Sequence, residues 1–371
     1  MRVLIAHSGN LYGGLEKVLE TFAHAARTCG RFELDFAMCF DGPVAASLRQ
    51  LGVPPSIVGG VRLTRPDQLW QARRRLGDVI ARVAPDVVVT TSPWSHVVFA
   101  PAVRSAGIPL VLWLHDIISG SSWLGYLAGR HKPDMLICDS NFCAAEAAPV
   151  FPGVPVRTVY YAVQYQDASR SRADVRREFG LDEETRVVIN VARLEPWKGQ
   201  QLLIEALARL RTNDPWVCWF LGGAQRREER DYLDRLKQQA AAAGLADRVH
   251  FLGHRDDVAD LLGAADVYCH PNQSAEPFGL AIVEALHAGL PVVATDLGGP
   301  REILADGSGQ LVPPADPDAL AAAIAPWLAT RTRDRRAAEA RRARALTLCG
   351  PIARLLDFAD ALDSARAMVT A

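Results

Sequence analysis

Two glutamates eight residues apart, Glu276 and Glu284, bracket the run Pro277-Phe278-Gly279-Leu280. Proline disfavours helix at the residue before it, so Glu276 should sit just ahead of a helix start. Gly279, in the first turn, lets backbone approach a ligand closely. The N–H groups of Phe278, Gly279 and Leu280 should point out of that helix end, where phosphate binds readily. Eight helical residues span about 12 Å, so the two carboxylates would flank the anion at opposite ends. Carboxylates accept hydrogen bonds from hydroxyls. A nucleotide sugar has that layout: hexose hydroxyls, a diphosphate, ribose hydroxyls. Taken alone, a Glu pair at this spacing is equally an effect of the helix dipole. The preceding apolar strand and the later Gly298-Gly299-Pro300-Arg301-Glu302 make the combination harder to dismiss.

Two cations precede this segment. Arg193 follows the apolar run Val187–Val191, and Lys198 is five residues on. Together they could make a two-charge clamp for phosphoryl oxygens. The chain has only four lysines, at 17, 132, 198 and 237. Ammonium and guanidinium differ in shape, so a lysine in an arginine-rich background hints at a specific role. Plain surface charge is the alternative for both. In the first half, His115-Asp116 follows the strand-like run Leu110–Leu114. Ligands of open parallel sheets bind at that strand end, although a strand-end His is also a common structural hydrogen bonder. Gly13-Gly14-Leu15-Glu16 forms a turn that opens a helix, and it is not a G-x-G-x-x-G dinucleotide fingerprint.

These residues need a scaffold, and short apolar runs alternating with helix-period stretches supply one. Strands are expected at Val3–Ala6, Phe32–Phe40, Asp86–Thr90, Leu110–Leu114 and Met135–Cys138, with helices over Leu15–Thr28 and Gln68–Val83. After a charged stretch, Gln164–Arg177, the pattern restarts. Strands are expected at Val187–Val191, Val217–Leu221, Val249–Leu252, Val267–His270 and Pro291–Thr295. Helices are expected at Gln200–Arg211, Glu228–Ala243, Val258–Gly263 and Phe278–Ala288. Continuous Val/Ile/Leu runs joined by helices argue for parallel sheets covered on both faces. The fold class is α/β, with two Rossmann-like domains facing across a cleft. The boundary is expected near 162–172. The domains span 1–165 and 166–350. A last helix, about 351–371, packs back onto the first. The Ala/Arg-rich run 331–345 reads as a solvated helix.

Composition narrows the partners. The 371 residues carry 41 Lys+Arg against 42 Asp+Glu and are 49% hydrophobic. That is globular composition with no global pull toward nucleic acid or anionic lipid. Seven cysteines without a C-x-x-C form neither a disulfide framework nor a zinc spacing. A reducing compartment follows, and a cytoplasmic location is expected. No signal-peptide core is evident, and no apolar stretch approaches the ~20 residues needed to cross a bilayer. The run Arg73-Arg74-Arg75 fits a solvated helix face, or a peripheral contact with the inner membrane face and a lipid acceptor. His96, Trp94, Trp113 and Trp123 could line an acceptor pocket, although core packing is the commoner role of such residues.

The block Val187–Pro314 resembles the donor domain of the family 4 glycosyltransferases, which have the GT-B fold. Its landmarks are Val191-Ala192-Arg193-Leu194, Lys198-Gly199, Glu276-Pro277-Phe278-Gly279-Leu280 with Glu284, Gly289-Leu290-Pro291-Val292-Val293-Ala294, Gly298-Gly299 and Asp306-Gly307. The resemblance extends along the whole chain but is strong in this half. It makes 1–165 the acceptor side and 166–350 the donor-binding side. It implies that Arg193 and Lys198 neutralise the donor diphosphate, that Glu276 holds hexose hydroxyls and that Glu284 holds the ribose. His254 and Arg255 lie in the segment that lines the base. Gly13 and Gly14 match the family's Gly-Gly-x-Glu turn near the donor phosphate, and His115 bonds the transferred sugar. Many relatives carry Asn-Gly where this chain has Tyr161-Ala162-Val163, a departure that touches hinge geometry.

The resemblance implies a hexosyltransferase that retains anomeric configuration, and the lysine-poor, arginine-rich composition points to a bacterial source. It would use a nucleotide-diphosphate sugar, with UDP the favoured nucleotide, and no cofactor or metal. The acceptor would be a glycan, a lipid-linked compound or a small molecule. A nucleotide-sugar 2-epimerase or a non-catalytic GT-B-like partner subunit are the alternatives.

Overall fold

The computed structural model describes residues 1–9, 13–330 and 333–370. The chain divides into two units, Met1–Gln164 with Cys349–Ala371, and Tyr165–Leu348.

The described residues of the first unit form seven strands: β1 Arg2–His7, β2 Glu33–Met38, β3 Ser56–Ile57, β4 Val87–Thr90, β5 Leu110–Leu114, β6 Met135–Cys138 and β7 Val156–Thr158. They make one parallel sheet in the order β3-β2-β1-β4-β5-β6-β7. Every residue of β4, β5 and β6 is buried. This is the condition under which strands read as unbroken apolar runs.

In the second unit β8 Arg186–Val191, β9 Trp216–Leu221, β10 Val249–Gly253, β11 Val267–His270, β12 Val292–Thr295 and β13 Gln310–Val312 form a parallel sheet in the order β10-β9-β8-β11-β12-β13. Each unit is thus a Rossmann-like layer of strands and helices. Strand order reverses between β1 and β4 in one unit and between β8 and β11 in the other. Beyond the carboxyl ends of such strand pairs lie the ligand sites of open α/β sheets.

The helix Pro351–Thr370 belongs to the first unit. Its Phe358 is fully buried, 5.0 Å from the Phe22 ring and 4.7 Å from the Trp113 ring. Phe22 lies on the first helix, Gly14–Cys29. Arg31 adds exposed ion pairs to Asp360 and Asp363. Such exposed pairs add little to stability, whereas a buried aromatic contributes several kcal/mol.

One expectation needs correction, and the charged stretch gains a structure. After Gln164 that stretch is partly helical, over Arg172–Glu178, capped by Ser171. Arg177 and Asp174 are largely exposed, but two of its arginines turn inward. Arg172 and Arg176 both donate to the Ala264 carbonyl and pair with Asp266, and the Arg176 side chain is 1% exposed. The helix expected from Phe278 starts at Leu280, because Gly279 has φ +118°, outside the helical region. Phe278 instead buries its ring in the core.

The Ala/Arg-rich run forms the helix Arg335–Cys349, while Arg331, Thr332 and Ala371 lie outside the described residues. Among the described residues, no helix is long and apolar enough to cross a membrane.

Candidate functional site

The second unit gathers Arg193, Lys198 and Glu276 where its strand order reverses. Arg193 follows β8, and Glu276 lies in the loop after β11. Between Arg193 and Lys198 the chain makes a single 3-10 turn, Pro196–Lys198. It ends at Gly199, whose φ is +73° and whose missing Cβ would fall 1.8 Å from the Pro271 carbonyl oxygen. Only glycine lets this turn pack so tightly on the segment after β11. The Gln273 amide donates to the Trp197 carbonyl at 2.8 Å and closes the same contact.

Lys198 Nζ thereby comes to 2.5 Å from Glu276 Oε2 and lies 3.9 Å over the Trp197 ring. The same Oε2 accepts from Asn272 Nδ2 at 2.6 Å and is 3.2 Å from His270 Nε2. His270 Nδ1 is in turn 3.2 Å from the Tyr268 hydroxyl. Every hydrogen bond on the Glu276 carboxylate converges on Oε2, so Oε1 carries none among the described residues. Burial opposes the charge on Glu276. The His270 hydrogen bond, the Lys198 charge and the remaining contacts outweigh that penalty and hold the carboxyl well below its ordinary range. It is therefore a fixed anion with one oxygen tied down and one open.

Backbone fixes the other side of Glu276. Its residue bridges Gly298, and the Gly299 amide donates to its carbonyl at 2.8 Å. A Cβ on Gly298 would lie 2.3 Å from that carbonyl oxygen. Beyond Gly279, the amides of Ile282 and Val283 turn back to the Gly279 carbonyl, so Leu280 and Ala281 open the helix. Glu284 lies on this helix. Its charge and that of Glu276 both act on buried Tyr268, whose hydroxyl is raised first by burial and then by these carboxylates.

Arg193 keeps a half-exposed side chain, with Nη1 3.0 Å from Glu195 Oε1. Glu195 also accepts from the Trp197 indole at 2.8 Å. The base-lining candidates differ from one another. His254 is exposed, 3.5 Å from Asp256, whereas Arg255 is tied to Asp257 and Glu178. His270, Asn272, Tyr268 and Glu195 are members of this site that spacing alone does not announce. The one available signal is their position, Tyr268 and His270 within β11, Asn272 just after it and Glu195 just after β8.

In the first unit, Gly13 caps the helix that begins at Gly14, with extended backbone and no side-chain cap. The stricter glycine is Gly9, where a Cβ would lie 2.6 Å from His7 Nε2. His7 ends β1, bonds Thr91 through Nδ1 at 2.9 Å and has Nε2 3.5 Å from Glu16 Oε1. His115 follows β5, two strands further along the sheet, and is buried, with Nδ1 2.9 Å from the Tyr161 hydroxyl.

His96 and Trp113 are core residues; His96 bonds Thr90 and the His131 carbonyl. Trp94 packs edge-on to Trp123, whose side chain is largely exposed. The arginine run is only partly solvated. Arg73 donates to the Val97 and Val98 carbonyls, Arg75 donates to Val58, and Arg74 lies over Trp70.

Residues 171–344 match the family model for "Glycosyl transferases group 1", and residues 12–166 match that for "Glycosyltransferase Family 4". The lipopolysaccharide core biosynthesis mannosyltransferase LpsB of Rhizobium meliloti is 31% identical over 277 residues, 72% of this chain and 71% of that protein. The phosphatidyl-myo-inositol mannosyltransferase of Mycolicibacterium smegmatis is 42% identical over 158 residues, 42% of this chain and 39% of its length. That of Mycobacterium tuberculosis is 39% identical over 219 residues, 58% of this chain and 50% of its length. The chain thus spans half or less of the length of these two relatives. Anabaena Alr3699/HepE in complex with UDP matches 98% of this chain and 100% of its own, with a TM-score of 0.86 and 27% identity.

Proposed function

The chain belongs to the family 4 glycosyltransferases, with a GT-B fold, and from that premise we propose that it moves a hexose-type sugar from a nucleotide diphosphate, UDP favoured, to a hydroxyl of its acceptor, with retention. The observation that carries this reading is the half-saturated carboxylate of Glu276. Three donors hold Oε2, and Oε1 is left to accept from sugar hydroxyls beside the Lys198 ammonium. Arg193 and Lys198 meet the diphosphate as negative charge grows on the leaving group. A preorganised donor of this kind contributes roughly 3–4 kcal/mol to the transition state. Glu284 takes the ribose hydroxyls, and the helix opening at Leu280 faces phosphate. His254 presents backbone to the base. His115 takes a hydroxyl of the transferred sugar, and Gly13 and Gly14 admit the donor phosphate. In this reading protein cations supply the charge that a metal supplies elsewhere.

UDP is supported by the complexes of Anabaena HepE with UDP and UDP-glucose. The names of relatives support a polyol or lipid-linked acceptor: phosphatidyl-myo-inositol, D-inositol 3-phosphate and lipopolysaccharide core. The test is a melting screen against UDP, GDP and their sugars, followed by nucleotide release with candidate acceptors. A transferase consumes donor only when acceptor is present, and Lys198→Ala lowers that rate about 100-fold or more while the fold persists. Epimer formed without any acceptor would favour a 2-epimerase. No melting shift with any nucleotide would favour a non-catalytic partner subunit.

A further inference from the structure

A second buried carboxylate lies in the first unit, and the transfer reading leaves it unused. Asp139, just after β6, is fully buried and accepts from the Tyr161 hydroxyl at 2.8 Å. That hydroxyl is 2.9 Å from Nδ1 of His115, within hydrogen-bond distance, and the two ring planes are nearly parallel, at 9°. His115 is 6% exposed, and its Nε2 has no hydrogen-bond partner. Buried imidazole nitrogens are rarely left so.

The chain of bonds has a direction. An ionised carboxylate only accepts, so it takes the Tyr161 proton. The Tyr161 oxygen must then accept from His115 Nδ1–H. A neutral imidazole has one N–H, so Nε2 becomes a bare acceptor. We propose that Asp139 and Tyr161 are positioning residues that set the tautomer of His115, leaving Nε2 to accept a hydroxyl of the transferred sugar. The sugar itself rests on the function proposed above; the tautomer does not.

Protonating Asp139 reverses every link. The acid then donates to Tyr161, Tyr161 donates to Nδ1, and Nε2 acquires the proton. No atom moves far, but the nitrogen facing the unfilled position changes from acceptor to donor. The groups that face this chain are few. Asp116, Cys138, Cys143, Ser140 and Tyr161 act on Asp139, and His7 acts on His115, with Glu16 3.5 Å from His7. Burial raises the Asp139 carboxyl to about 7, and the hydrogen bonds from Tyr161, Cys143 and Ser140 only partly offset it. His115 itself is held neutral, its value lowered to about 3 by burial and then by His7. The reversal therefore falls near neutral pH and belongs to Asp139.

The experiment has two arms. Long-range proton–nitrogen spectra of histidine-labelled protein, without substrate, should show His115 Nε2 unprotonated above pH 7 and protonated below it. In the second arm, kcat/KM for the donor should fall with an acid limb near pH 7, about tenfold per pH unit. Tyr161→Phe breaks the chain and Asp139→Asn cannot ionise, so each removes that limb, while the melting shift with UDP is retained. If Tyr161→Phe fails to fold, Asp139→Asn carries the test. An Nε2 that is protonated above pH 7, or an acid limb that survives in the folded variants, overturns the proposal. The expected tautomer without turnover of any donor would uphold the tautomer assignment and overturn the transferase reading instead.

Discussion

Gly199→Ala tests whether the turn that delivers Lys198 is set by backbone packing. The new Cβ would start 1.8 Å from the Pro271 carbonyl oxygen and 2.7 Å from its carbon, both backbone atoms that cannot rotate aside. Real Cβ atoms approach no closer than 3.0 Å, so the turn must withdraw by about 1.2 Å. If that shift falls on the ion pair, the 2.5 Å contact between Lys198 and Glu276 lengthens to about 3.7 Å, beyond hydrogen bonding. A misplacement of about 1 Å costs on the order of 100-fold in rate. The left-handed φ of +73° adds about 1–2 kcal/mol of strain for any other residue. For a unit of this size that is a fall of about 2–8 °C in melting temperature. We expect kcat/KM for the nucleotide-sugar donor to drop about 100-fold, with a cooperative but lower melting transition. Activity within threefold of the parent at an unchanged melting temperature would refute the packing argument.

Glu276→Gln should cost stability at neutral pH, because Lys198 and His270 then face no anion. The folded carboxyl is depressed, so its contribution is present above the ordinary carboxylate value and is lost as pH falls through the folded one. Urea unfolding should therefore show the largest gap between variant and parent near pH 7 and a shrinking gap below about pH 4; a gap that widens in acid would contradict the assignment. Phe358→Ala should lower unfolding free energy by about 3–5 kcal/mol, because the ring is packed between Phe22 and Trp113. A loss below about 1 kcal/mol in denaturant titration would mean that the last helix contributes little to the first unit.

The strands were legible because burial on both faces forces unbroken apolar runs. Leu110–Leu114, Met135–Cys138 and Val267–His270 have the same bounds in sequence and structure. What escaped the sequence depends on contacts that no local pattern records. His270 and Asn272 reach Glu276 because the loop after β11 folds back on itself, and no spacing rule encodes that fold-back. The late start of the Leu280 helix depends on the left-handed φ of Gly279, which glycine permits but does not dictate. The helix Arg172–Glu178 is hidden because it carries few apolar residues; Arg172 and Arg176 anchor it through Asp266 and the Ala264 carbonyl, contacts far away in sequence. Tyr161, where many relatives carry Asn-Gly, faces inward and bonds Asp139 and His115, contacts that no local pattern announces.

Glu276 and Asp139 are both buried carboxylates, and burial alone would raise both. What separates them is the charge state of their donors. Glu276 is met by a lysine ammonium, with an imidazole and an amide sharing the same oxygen. Asp139 is met by a phenol, a thiol and a hydroxyl, all neutral, with the like charge of Asp116 added. The His270 hydrogen bond and the Lys198 charge together outweigh desolvation at Glu276, whereas the neutral donors at Asp139 offset it only in part, so one carboxyl falls well below its ordinary range while the other rises to about 7. Groups with such divergent values suit divergent tasks. The depressed one is a permanent acceptor suited to holding hydroxyls at any physiological pH. The raised one can exchange a proton without leaving the core, and through Tyr161 it can hand that change to the one imidazole nitrogen in the His115–Tyr161–Asp139 chain that lacks a partner.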